Sequence, residues 1–202
     1  MSCEDALEVF AEFRTDRQIV ISNQTTARIW PTFSHHPLDF NYLSSTMGGA
    51  IPLGLGMALA RPEFEVVVLS GDGSLLMNLG CLATIRAAGV TNLTILLLDN
   101  GLYEVTGGQA TPGRLAQLDY AAIAAAVGFP TTDRFNDASE WRAYLRSAPP
   151  GTAPRFLTLM VRPVSAVTPR YTKTQVAAEL RRLRALIAAS GSSDQQPRVS
   201  SG

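Results

Sequence analysis

Phe64 to Asn100 reads FEVVVLSGDGSLLMNLGCLATIRAAGVTNLTILLLDN, and the fold is decided there. Val66 to Leu69 and Leu93 to Leu98 are apolar runs rich in β-branched residues and leucine, each ending in a polar or glycine-rich break. Strands buried on both faces read this way, because helices cover a parallel sheet from either side. Between the runs, Leu75 to Ala88 carries no proline and sets Leu75, Leu76, Leu79, Leu82 and Ile85 at helical spacing, which predicts one helix. Strand, tight turn, helix and strand make a βαβ crossover, so the chain is α/β.

A right-handed return lays both strands in one sheet, with the turn at Gly71, Asp72 and Gly73 and the end at Asp99 and Asn100 at carboxyl ends. The side chains of Asp72 and Asn100 then face one crevice. Gly71 and Gly73 let the backbone turn sharply and approach a ligand closely. The amides of Gly73 and Ser74 open the helix, where free donors and the helix dipole favour a phosphate. A phosphate beside the Asp72 carboxylate and the Asn100 amide oxygen needs a hard cation to offset the charge, and Mg²⁺ prefers oxygen ligands. The turn therefore predicts a magnesium diphosphate site. Gly-Asp-Gly alone also describes an ordinary turn whose aspartate caps the helix.

With residues 74 to 99 as the gap, Asp72 and Asn100 resemble the magnesium pair of the thiamine diphosphate enzymes, whose signature is GDG, a gap of this size, then asparagine. That family often ends the signature in two asparagines. Here Asp99 stands first, and the metal-binding second position is Asn100. The resemblance implies thiamine diphosphate and Mg²⁺ as cofactors and a three-layer α/β/α fold on a mostly parallel sheet. It implies that the backbone carbonyl of Leu102 joins Asp72 and Asn100 on the metal. It also implies that Gly71, Gly73 and Ser74 belong to the cofactor site.

Two further segments extend the resemblance. Ser44 to Ala60, SSTMGGAIPLGLGMALA, reads as flexible glycines followed by a helix, with Pro52 near its start and Gly54 and Gly56 permitting close packing. It resembles the family segment in which a large apolar residue wedges between the two cofactor rings. Met47, 25 residues before Asp72, matches that wedge, and Ser45 matches the residue whose carbonyl holds the cofactor's exocyclic amine. DNGLYEVTGGQAT, GDGSLLMNLGCLATI and DYAAIAAAVGF are similar to segments of sulfopyruvate and phosphonopyruvate decarboxylases. The resemblance spans about residues 5 to 165 and departs at SNQTTARIW, which leaves the substrate open.

Along the rest of the chain, residues 4 to 14 predict a helix and Gln18 to Ser22 a strand, followed by the polar loop Asn23 to Thr26. In this family the loop after the first strand contacts the diphosphate, which makes Thr25 and Thr26 candidates. His35 and His36 stand in a loop and are weak catalytic candidates. Glycines at 101, 107, 108 and 113 make the stretch after Asn100 a candidate lid. Asp119 to Val127 and Ala138 to Leu145 read as helices, the second with a capping box from Asp137 and Glu140. Phe156 to Val161 reads as a strand. Thr172 to Ala189 reads as a helix with Val176, Leu180, Leu183 and Ile187 on one stripe. Residues 1 to 190 then make one domain of the diphosphate-binding type, and 191 to 202 a disordered tail.

Composition sets bounds. Seventeen basic and seventeen acidic side chains leave no net field to attract nucleic acid or an anionic membrane. No apolar run is long enough to span a bilayer, and the first residues lack a signal-peptide core. Cys3 and Cys81, far apart and without metal spacing, suit a reducing cytoplasm.

Thiamine diphosphate enzymes pair a diphosphate-binding domain with one that binds the aminopyrimidine and supplies an activating glutamate. None of the glutamates at 4, 8, 12, 63, 65, 104, 140 and 179 sits in a second α/β unit. The resemblance therefore implies no activating residue in this chain, a pyrimidine-binding α-type partner subunit, and a hetero-oligomer acting on a 2-oxo acid. Decarboxylation of the sulfopyruvate or phosphonopyruvate kind is the leading expectation. A carboligating or oxidoreductase complex, or a cofactor-binding module without turnover, stays open.

Overall fold

The computed structural model describes residues 1–43, 45–148, 154–164 and 173–191. In chain order the elements open with α1 (Cys3–Glu12), β1 (Gln18–Asn23), α2 (Thr25–Ile29), β2 (Asp39–Tyr42) and α3 (Ala50–Ala60). The central unit follows as β3 (Glu65–Gly71), α4 (Asp72–Leu76), α5 (Cys81–Ala88) and β4 (Leu93–Asp99). Next come β5 (Leu102–Tyr103), β6 (Gln109–Ala110), α6 (Pro112–Leu115) and α7 (Tyr120–Val127). The last elements are β7 (Thr131–Phe135), α8 (Ala138–Ser147), β8 (Arg155–Met160) and α9 (Lys173–Gly191).

Six strands form one parallel sheet in the order β2-β1-β3-β4-β8-β7. The expected α/β layering holds, since the side chains of each central strand alternate between two cores. Val66 and Val68 of β3, with Leu93, Ile95 and Leu97 of β4, pack on one face under α3, α5 and α7. Val67, Leu69, Leu96 and Leu98 pack on the other with α1 and α8, around the buried Trp30 and Trp141. Gly54 explains how α3 lies so close to the sheet, because a Cβ there would stand 2.4 Å from Val68 Cγ2. The second glycine expected to serve packing, Gly56, faces open space.

Several expectations are corrected. The single helix over 75 to 88 is two, α4 and α5, joined through Met77 to Gly80 by i to i−3 bonds such as Asn78 N to Leu75 O at 2.9 Å. The polar loop 23 to 26 already contains the first turn of α2. The edge strands β2, DFNY, and β7, TTDRF, are short and carry polar residues, so neither makes an apolar run. The stretch after Asn100 holds a small hairpin, Leu102 against Ala110 and Tyr103 against Gln109.

At α8, Asp137 caps the amides of Ser139 and Glu140; among the described hydrogen bonds the reciprocal capping box forms at α1, between Ser2 and Asp5. On α9, Leu183 is buried but Leu180 is exposed. Glu179 takes the inward place, accepting from the Asn41 backbone amide at 3.1 Å and from its side-chain Nδ2 at 3.2 Å. The tail expected over 191 to 202 lies outside the described residues beyond Gly191.

Candidate functional site

The connection after β1 runs outward to β2 on one side, and that after β3 runs to β4 on the other. Adjacent strands whose exits diverge leave a crevice at their carboxyl ends, where open α/β sheets bind ligands. One cavity of about 50 Å³ lies there. Thr25, Thr26, Met47, Gly71, Asp72, Gly73, Ser74, Asn100 and Leu102 all line it. Of the cofactor-site candidates, Ser45 alone is not in the wall, yet Gln24 Nε2 ties it in by donating to both Ser45 O and Ser45 Oγ at 3.1 Å.

Asp72 opens α4 and is buried. Burial pushes its carboxyl above the usual range, opposed by the Thr111 hydroxyl and by the amides of Gly73 and Asn100. Thr111 donates Oγ1 to Asp72 Oδ2 at 2.9 Å and thereby anchors one carboxylate oxygen. Asp99 on the next strand is pushed up to about 6, by burial first and by the Asp72 charge second. Asn100 Oδ1 accepts the Leu102 amide at 2.8 Å, which turns the chain so that the start of β5 comes back over the site. Among the described residues no cluster of three His, Cys, Asp or Glu side chains surrounds a metal position. The expected set holds one carboxylate, one amide oxygen and one carbonyl, a hard oxygen set suited to Mg²⁺ with water and phosphate completing the shell.

The wall after β1 supplies further polar groups. Asn23 is fully buried, donates Nδ2 to Ser74 Oγ at 3.1 Å, and leaves its Oδ1 without a hydrogen-bond partner. Ser74 Oγ also accepts the Gly48 amide at 3.0 Å. A hydroxyl has two lone pairs and one proton, so with both lone pairs engaged Ser74 keeps its proton to donate. Gln24 holds φ 54° and ψ −125°, a conformation rare for a side-chain-bearing residue and costing about 1–3 kcal/mol where it persists. The Thr26 hydroxyl is committed to the carbonyls of Asn23 and Leu69, whereas Thr25 points its hydroxyl at the lid.

The lid lies across the crevice. Tyr103 packs on Gly73, where a Cβ would stand 2.6 Å from the ring. Glu104 accepts from Thr25 Oγ1 at 2.8 Å and from the Val164 amide at 2.7 Å. Among the described residues no lysine, arginine or histidine lines the cavity. The histidines lie elsewhere. His36 Nδ1 accepts from Leu38 N and faces Arg14, its Nε2 faces Asp16, and all of this sits at the amino end of β2. His35 is exposed beside it.

Asn23 and Gln24 lie in the polar loop expected at the diphosphate, and Tyr103, Glu104 and Thr111 in the expected lid stretch, but reading the sequence did not single out any of the five as a site residue. Thr111 before Pro112 carries a helix-cap signal, which the Arg114 amide confirms at 3.2 Å, but its second bond to Asp72 arises only from the fold.

The residues present suit a magnesium diphosphate. The buried Asp72 carboxylate, the Asn100 amide and the Ser74 hydroxyl line one cavity, Asn23 Oδ1 has no hydrogen-bond partner beside them, and at Gly73 the start of α4 is bare of a side chain beneath Tyr103. The fold and site define an α/β domain with an oxygen-rich crevice at the switch point between β1 and β3.

Residues 21–159 match the family of thiamine pyrophosphate enzymes, C-terminal TPP binding domain, and the chain belongs to that family. It is 37% identical over 186 residues to the phosphonopyruvate decarboxylase of Streptomyces viridochromogenes, covering 90% of this chain and 45% of the relative. It is 41% identical over 165 residues to the sulfopyruvate decarboxylase subunit beta of Methanothermobacter thermautotrophicus, covering 82% of this chain and 84% of that subunit. The chain thus spans under half the length of the Streptomyces relative and most of the archaeal subunit. A solved structure from Mycobacterium smegmatis, assigned as a thiamin diphosphate-dependent enzyme, superposes with a TM-score of 0.66 at 24% identity. It covers 81% of this chain and 32% of that one, and shows the shared fold.

Proposed function

We propose that the chain is the thiamine diphosphate- and Mg²⁺-binding subunit of a 2-oxo acid decarboxylase of the sulfopyruvate or phosphonopyruvate kind. Residues 1 to 190 would form its single domain, completed by a pyrimidine-binding α-type partner in a cytoplasmic hetero-oligomer. The observation that carries this reading is Asp72 at the start of α4 beside Asn100 at the end of β4, with the amides of Gly73 and Ser74 opening the same crevice. Similarity along most of the chain to two decarboxylases favours decarboxylation over carboligation.

In this reading Asp72, Asn100 and the Leu102 carbonyl hold Mg²⁺, and Gly71, Gly73, Ser74, Thr25 and Thr26 lie along the diphosphate. Met47 supports the bend between the rings and the Ser45 carbonyl receives the exocyclic amine. When bound, thiamine diphosphate supplies the nucleophile and the electron sink that let a 2-oxo acid lose carbon dioxide. The chain's own residues bind, orient and exclude water. Tyr103 and Glu104 close the lid over the start of α4 and α2.

Activation is left to the partner. Glu104, the glutamate in the cavity wall, is bound to Thr25 and Val164. Helix α3, AIPLGLGMALA, has no polar side chain on any face, and Leu59 and Met77 are each 56% exposed, as suits surfaces that another subunit covers. The test is to purify the chain alone and assay carbon dioxide release from sulfopyruvate and phosphonopyruvate with thiamine diphosphate and Mg²⁺. The isolated chain should be inactive, and adding a pyrimidine-binding subunit should restore release. Turnover by the isolated chain at ~1 per second or faster would overturn the partner requirement.

A further inference from the structure

The turn that separates α4 from α5 puts Asn78 against the loop carrying Met47. Asn78 Nδ2 donates to the Gly48 carbonyl at 3.2 Å, while the Gly48 amide donates to Ser74 Oγ at 3.0 Å. Gly48 is therefore held by both its N–H and its C=O, by two residues four apart on the same segment. The approach is close. Gly48 has φ +81°, and a Cβ on it would stand 2.9 Å from Asn78 Cβ, so no other residue fits without displacing one side.

Met47 is the next residue back, half-buried in the cavity wall, and it belongs to no helix or strand. Its side chain has three rotatable bonds and a backbone free of ladder hydrogen bonds, so its position depends on what fixes its neighbours. An uninterrupted helix from Asp72 to Ala88 would carry residue 78 on around the axis. Instead the i to i−3 bonds Asn78 N to Leu75 O and Cys81 N to Asn78 O, at 2.9 and 3.0 Å, tighten the chain and present the amide.

We propose that Asn78 is a positioning residue that fixes the Met47 wedge through Gly48, with Ser74 holding the other side of the same glycine. This rests on the proposed function, in which Met47 meets the organic part of thiamine diphosphate while α4 meets its diphosphate. Asn78 then governs the ring portion of the ligand and leaves the diphosphate grip alone.

The experiment compares the full chain with Asn78→Asp, which keeps the shape but removes the donor, and with Asn78→Ala. Asn78 is exposed, so neither change opens the core. Calorimetry with Mg²⁺ would measure thiamine diphosphate and, separately, inorganic diphosphate. Both variants should bind thiamine diphosphate roughly 3- to 10-fold more weakly, with inorganic diphosphate unchanged. In a Met47→Ala background the Asn78 substitutions should cost nothing further, because the group they act through is gone.

In the ligand-free variants the Gly48 and Gly49 amides should exchange with deuterium faster than in the parent. Equal weakening of both ligands, additivity with Met47→Ala, or unchanged exchange would each overturn the proposal. A parent chain that binds neither ligand, alone or with the pyrimidine-binding subunit added, would instead overturn the cofactor reading of the site, while the exchange measurement would still decide whether Asn78 holds Gly48.

Discussion

Replacing Asp72 by asparagine separates what the site costs the fold from what it does. Asp72 is 1% exposed, and its carboxyl is pushed upward by burial despite the Thr111 hydroxyl and two backbone amides. In the metal-free chain the charge is therefore a net liability. Asparagine keeps the shape, and with its oxygen turned to the amides of Gly73 and Asn100 its Nδ2 can donate to the Thr111 hydroxyl, so the substitution removes the charge without opening a cavity. Relieving a buried carboxylate that is partly compensated should stabilise by about 1–3 kcal/mol. For a chain of 202 residues this raises Tm by ~2–4 °C per kcal/mol.

The same change removes the one carboxylate from the expected magnesium set, and a neutral amide does not offset the ion's charge. Differential scanning calorimetry in EDTA, then with Mg²⁺ and thiamine diphosphate, reads both effects. The variant should melt above the parent in EDTA and gain nothing from the ligands, whereas the parent should gain. Equal ligand-induced shifts in parent and variant, or a variant less stable in EDTA, would refute the reasoning.

Met47→Ala should lower turnover of the complete enzyme more than it lowers cofactor affinity, since it loosens the reacting geometry, and equal effects in steady-state kinetics and calorimetry would count against the wedge. Gly54→Ala should destabilise by about 1–3 kcal/mol through its clash with Val68, whereas Gly56→Ala, facing open space, should be neutral or stabilise by up to ~1 kcal/mol. A denaturant series on the two variants checks the contrast. Cys3 and Cys81 are buried with thiols pushed upward, Cys81 to about 11, so a disulfide-exchange reagent at pH 8 should modify both only after unfolding.

The central crossover was legible because β3 and β4 are covered on both faces, so their buried residues form near-continuous apolar runs, with Ser70 at the end of β3 and Thr94 near the start of β4 as the buried polar exceptions. The edge strands were not, since β2 and β7 lie at the rim of the sheet and their Asp, Asn, Thr and Arg residues mask the period. The break at Met77 to Gly80 was missed because Leu76, Leu79 and Leu82 keep helical spacing across it. A tertiary bond from Asn78 to Gly48 prevails there over local propensity, helped by two weak helix formers, Asn78 and Gly80. Site residues that belong to the strand-end motif, such as Asp72 and Asn100, could be placed from spacing. Thr111, Glu104 and Asn23 reach the crevice from segments 39, 32 and 49 residues away from Asp72 in sequence, and the local signals they carry, a helix cap and two polar loops, do not reveal their individual partners.

The charge of the crevice bears on why this chain suits a shared site. Its wall contributes two carboxylates, Asp72 and Glu104, and among the described residues no cationic side chain. On the proposed reading Mg²⁺ offsets Asp72 and part of a diphosphate, and helix α4 adds only the partial charge of its first amides. Glu104, a diphosphate and the carboxylate of a 2-oxo acid leave negative charge that no described side chain of the wall meets. Charges of like sign in a site that excludes water repel strongly, so on the proposed reading a cationic group from the partner subunit is what would complete the balance.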